Sequence, residues 1–103
     1  MDKREAVRVP VRVHARCRCH DGVVINGTVE DLSRSGLFLR ADLFLGQGSP
    51  AEIDLDVPGE ETLHLTAEVV RVDDGGMAFR FCEQPSRSLA NFIMRQHQQI
   101  EPR

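Results

Sequence analysis

The sequence predicts an all-β domain: a six-stranded antiparallel barrel with one C-terminal α-helix. Three observations lead there. Apolar and polar residues alternate along six short stretches. Turn signals built on Gly, Pro, Asn and Asp separate those stretches at short, regular spacing. After Pro85 the apolar period lengthens from that of a strand to that of a helix.

The first strand is the clearest. From Val7 to Cys19 the odd positions read Val7, Val9, Val11, Val13, Ala15, Cys17 and Cys19, and the even ones are Arg, His or Pro. Arg4, Arg8, Arg12 and Arg16 also recur every four residues, the period of a helix face. Pro10 and the run of valines exclude that helix. Pro10 also puts the start of the strand at an edge or outside the ladder.

Two turn signals follow, Asp21-Gly22 and Asn26-Gly27. A three-residue loop His20-Asp21-Gly22, with Gly22 left-handed, pairs Cys19 with Val23, Cys17 with Ile25, Ala15 with Gly27 and Val13 with Val29. Apolar residues or Gly then meet across the hairpin at each position. A two-residue turn would set Ile25 against Arg18. Gly27 therefore reads as a strand-interior or bulge glycine.

The second strand ends near Asp31. Gly36 to Ala41 forms the third, with Leu37 and Leu39 on one face and Phe38 and Arg40 on the other. Ala51, Ile53, Leu55 and Val57 mark the fourth. The fifth begins at Leu63, and its phase slips at Arg71, which predicts a β-bulge near Val69-Val70. Met77, Phe79 and Phe81 mark the sixth. Leu89, Phe92, Ile93 and Ile100 form a helical stripe with Gln96 its polar exception, and Pro85 or Ser86 starts that helix. The domain organisation is thus one unit over 1–103: a flexible basic arm over 1–8, a barrel over 9–82 and a helix over 85–100.

Composition agrees with a packed domain. The 103 residues are 41% hydrophobic and 28% charged, with five Phe and neither Trp nor Tyr. Such a chain is not a disordered tail or a disulfide scaffold. No apolar run is long enough to span a membrane. The N-terminus lacks the features of a secretory signal, which points to the cytoplasm and to reduced thiols at Cys17, Cys19 and Cys82. Charge is unevenly spread: residues 1–20 hold six basic side chains against Asp2 and Glu5, while the rest hold seven basic and fourteen acidic. A basic arm on an acidic body suits an anionic partner.

Two stretches carry candidate chemistry. In Asp31-Leu32-Ser33-Arg34-Ser35-Gly36, Asp and Ser can bond their own backbone and hold a tight turn. Gly36 would supply a positive φ or let a ligand approach the backbone. In the arm, the forks of Arg4 and Arg8 suit phosphates or guanine edges. A plain turn and a solvated terminus are the simpler readings of these two stretches.

Taken together, these stretches resemble the PilZ domain family of bacterial cyclic di-GMP receptors. Arg4-Glu5-Ala6-Val7-Arg8, with Lys3 before it, is similar to the family's RxxxR motif. Asp31-Leu32-Ser33-Arg34-Ser35-Gly36 is similar to its DxSxxG motif. Gly76-Met77-Ala78-Phe79-Arg80-Phe81 resembles its last barrel strand. The resemblance covers essentially the whole chain and implies a barrel of the split-barrel type. It implies that Arg4 and Arg8 clamp the phosphates and guanines of cyclic di-GMP, and that Asp31, Ser33 and Gly36 line the base pocket. Lys3, Arg34 and Arg71 are weaker candidates, Arg71 being read first as a structural ion pair with Asp73 or Asp74. The implied protein is an effector that relays the signal to an unidentified downstream protein, as a monomer or weak homodimer. The alternative is an adaptor of motility or pilus assembly that does not bind the nucleotide.

Other chemistries fit poorly. Cys17 and Cys19 share a strand face that His20 does not, so they read as core thiols rather than metal ligands. Asp54 and Asp56 read as a solvated strand face rather than a catalytic pair. No set of residues suggests an enzyme, and no cofactor is implied. Phe38 and Phe44, the candidates for stacking nucleic-acid bases, read as packing residues.

Overall fold

The computed structural model describes residues 8–100. β1 (Val9–Cys19) and β2 (Val24–Leu32) form the predicted hairpin. Cys17 pairs with Ile25, Ala15 with Gly27 and Val13 with Val29. The Cys19 amide donates to the Val23 carbonyl at 2.8 Å, and Gly22 turns the chain at φ 91°. Gly27 is small for a reason of packing: a Cβ there would lie 2.4 Å from the Arg40 carbonyl oxygen. The strand expected from Val7 begins at Val9, and Val7 lies outside the described residues.

β3 (Gly36–Arg40), β4 (Pro50–Leu55), β5 (Leu63–Asp73) and β6 (Gly76–Phe81) complete a closed antiparallel barrel in the order β1-β2-β3-β6-β5-β4. Closure comes from β1 and β4, which pair over Ala15–Cys19. Pro10 lies beyond that stretch, facing Asp31 on one side with no β4 partner on the other. It thus sits at an edge, where its missing N–H breaks no ladder bond. The register of β5 shifts between Val69 and Arg71, at the predicted bulge.

The alternating residues meet inside. Val13, Val29, Leu37, Ile53, Val69 and Phe79 are among the buried set. β3 and β4 are not neighbours, so residues 41–49 cross one end of the barrel. There Leu45 packs against the core, and its amide donates to the Met77 sulfur at 3.2 Å. Phe44 departs from expectation: it is 46% exposed rather than packed.

α1 (Arg87–Ile100) begins one residue after Ser86, whose hydroxyl accepts from the Leu89 amide at 3.1 Å. That is an N-cap bond. Leu89, Phe92 and Ile93 are buried, and α1 packs against β1. Each such side chain contributes roughly 1.5–3 kcal/mol on burial. No described helix is long and apolar enough to cross a membrane.

Candidate functional site

The turn between β2 and β3 is built around one hydroxyl. Ser33 is 1% exposed. Its Oγ accepts from the Ser35 amide at 3.1 Å and the Gly36 amide at 3.2 Å, and lies 3.1 Å from the Ser35 hydroxyl. The Ser33 amide donates to the Gly36 carbonyl at 2.9 Å. Both lone pairs of Ser33 are therefore spent on the turn, which leaves Arg34 and Ser35 exposed at its tip.

Of the two roles expected for Gly36, the positive φ is not found, and the residue is buried. A Cβ there would lie 2.1 Å from the Phe79 carbonyl oxygen. The close neighbour is β6 of the same chain, so glycine is required for the β3–β6 approach.

Asp31 stands where the arm meets the barrel. Its carboxylate accepts from the Arg8 guanidinium in an ion pair that is partly exposed on both sides. Arg4 and Lys3 lie outside the described residues. The register sets Asp31 in a line across the outer surface: Asp31 faces Phe38, Phe38 faces Ala78, and Ala78 faces Arg71. Paired residues point to the same side of a sheet. The bulge in β5 is what brings Arg71 into this line, and three strand spacings separate it from Asp31, ~14 Å along the sheet. Arg71 donates to Asp73 at 2.7 Å, the ion pair read from the sequence.

The flanking arginines are also paired. Arg40 holds Glu30 at 2.5 and 3.0 Å, and this guanidinium lowers the Glu30 pKa. Arg80 pairs with Glu68. Arg80 also helps line a groove of about 570 Å³ with Arg34, Ser35, Phe81 and Glu83. The sequence reading did not single out Arg80. The signal was present in the alternation of β6, which sends Arg80 outward between Phe79 and Phe81.

The reading of Asp54 needs correction. Asp54 is 6% exposed, not solvated. Arg18 grips it with two bonds of 2.8 Å, and His64 meets it at 2.6 Å. The Arg18 guanidinium, with help from His64, pulls its pKa down to about 2. Asp56 is held below its ordinary value chiefly by His14, 3.0 Å away. Both carboxylates are thus ion-pair centres and unsuited to acid–base catalysis at neutral pH. Cys17 is buried, and burial pushes its thiol up to about 12, which makes it an unreactive core residue. Cys19 is raised by the same cause, and Cys82 is exposed.

The comparisons with known proteins agree with this geometry. The sequence matches the PilZ domain family over residues 2–95. No curated protein matches the chain. Among solved structures, the PilZ domain of YcgR from Escherichia coli, determined with c-di-GMP, superposes with a TM-score of 0.81 at 15% identity, covering 95% of this chain and 94% of that one. The Bacillus subtilis inhibitor of motility MotI/DgrA superposes with a TM-score of 0.80 at 16% identity. That alignment covers 98% of this chain and 54% of the other, so this chain spans about half of its length. The PilZ domain of CeSA from a cellulose-synthesizing bacterium gives 0.68 at 22% identity, over 92% and 99% of the two chains. A six-stranded closed barrel, a terminal helix and a family match over nearly the whole length lead to one conclusion: the chain belongs to the PilZ domain family.

Proposed function

We propose that the chain is a cyclic di-GMP effector of the cytoplasm. It binds the nucleotide across the line from Asp31 to Arg71, changes conformation, and relays the signal to a downstream protein in motility, biofilm or a related bacterial output. The observation that carries this reading is the ion pair between Arg8 and Asp31, which joins the arm's motif to the turn's motif on one surface. A fork of N–H donors beside a carboxylate suits guanine, whose O6 and N7 accept and whose N1 and N2 donate. Arg4 takes a phosphate or the second guanine, with Lys3, Arg34 and Arg71 as auxiliary cations. Ser33 and Gly36 act through the turn, by fixing where Asp31 and the tip stand. The YcgR domain solved with c-di-GMP and the motility inhibitor of similar fold support the same reading.

Binding exchanges the bond between Arg8 and Asp31 for bonds to the nucleotide, which frees and reorders the arm. That change of shape is a sensor's output and requires no chemistry on the ligand. Isothermal titration of the full chain with cyclic di-GMP tests it, with GTP as control. Saturable heat that the Arg4→Ala/Arg8→Ala variant loses is the expected result, and its stoichiometry separates one ligand from a stacked pair. A folded protein giving no heat at high micromolar ligand overturns the reading and leaves an adaptor role.

A further inference from the structure

Two apolar surfaces of this molecule remain open among the described residues, and their charges are opposite. The first lies between α1 and the β2–β3 turn. It is a groove of about 390 Å³ lined by Ala90, Ile93, Met94 and His97 from the helix and Arg34 from the turn. Residues 90, 93, 94 and 97 share one helix face by spacing. Leu89, Phe92 and Ile93 pack into the core, and beside them Met94 is left 57% exposed with no core function. Arg34 is the cation among the residues that line the groove, and α1 has no acid in its first turn. Arg95 reaches Glu60 at 3.3 Å and Phe92 at 5.9 Å.

The second surface is at the barrel end crossed by residues 41–49. Leu43 is 59% exposed, and Phe44 and Val72 are exposed beside it. Phe44, Val72, Asp73 and Asp74 line one shallow recess, and the exposed Asp42 precedes Leu43 in the chain. Arg71 neutralises part of Asp73. The rim is otherwise acidic.

We infer that these surfaces are partners for each other: the loop Asp42–Leu43–Phe44 of one copy docks in the α1 groove of another. The groove is apolar with the Arg34 cation at its edge, and the loop is apolar with Asp42, Asp73 and Asp74 around it. Opposed rims fix orientation and register, and apolar centres supply the favourable burial. The contact is heterologous, since the two patches differ, so it propagates head to tail unless the rotation closes. Its area is small, so association is weak and shows at high micromolar concentration. The test omits the nucleotide, so its outcome does not depend on whether cyclic di-GMP binds.

Sedimentation velocity of the full chain, from micromolar to millimolar concentration, tests it with two variants. Met94→Glu spoils the groove and Phe44→Glu spoils the loop; both side chains are exposed, so folding is spared. The wild type is expected to sediment faster as concentration rises, and to pass beyond the dimer. Each variant alone is expected to stay monomeric. Their mixture is decisive, because one keeps an intact loop and the other an intact groove. It should form a one-to-one dimer and nothing larger. A wild type monomeric at millimolar concentration overturns the inference. So does a variant that still assembles, or a mixture that stays monomeric.

Discussion

Asp54 shows what a single residue's position in a strand leaves unsaid. The alternation of β4 puts it outward, and outward usually means wet. The register brings Arg16 opposite on β1 and His64 opposite on β5, and Arg18 folds over from two pairs away. The sequence carries the strand phase but not the cross-strand neighbours, so the burial was not legible. Its pKa is lowered in the fold, so the unfolded chain takes up the proton first as pH falls. The stability from this group is full above about pH 4 and fades as pH falls toward the folded value of about 2. Asp54→Asn should therefore unfold at a lower urea midpoint at pH 7, by about 1–3 kcal/mol. The gap to wild type should narrow when the titration is repeated near pH 2.

Ser33 was legible as the residue that holds the turn, and the reason for Gly36 was not. Ser33→Ala leaves two turn amides without their acceptor and should cost about 1–2 kcal/mol in urea unfolding. Gly36→Ala drives a methyl into the Phe79 carbonyl and should cost as much or more, about 1–3 kcal/mol, although no positive φ is involved. Only a reading that includes β6 could foresee that second effect, because the clash is with a residue far along the chain.

At the scale of elements, local signals did well. The β1–β2 register followed from which residues could face each other, and the β5 bulge followed from the slip at Arg71. The start of α1 followed from Ser86 and the stripe after it. Ser86→Ala should lower thermal stability by about 1 kcal/mol through the lost cap. Gly22→Ala should cost a similar amount, since an L side chain at φ 91° is strained in open space. Circular dichroism melts check both. What the stripe did not announce was a second use for α1. Ala90 and Met94 lie off the buried face, and only the position of the turn carrying Arg34 makes a groove of them.

For the whole molecule, strand count and closure were legible, because short strands with regular turns leave few ways to bury six apolar faces. The order in which β6 enters between β3 and β5 was not, because it rests on contacts between residues distant in sequence. The line from Asp31 to Arg71 exists only through that order. If the nucleotide binds there, it stabilises the folded state alone, by about 2.7 kcal/mol at a hundredfold excess over Kd. A melting curve with cyclic di-GMP should shift upward for the wild type and stay in place for Arg8→Ala. The shift should shrink as salt rises, since Arg8 is exposed.

Closure of the barrel has a consequence for aggregation. A sheet edge is a template on which any extended peptide can add a strand, and fibres grow by that route. Here two described stretches outrun β4: the beginning of β1 and the end of β5. Each is blunted. Pro10 offers no N–H on the first, and the bulge with Arg71 and Asp73 twists and charges the second. The backbone is spoken for or guarded along the described strands. Whatever this protein meets must recognise it by side chains and turns, and concentrated solutions should resist cross-β conversion.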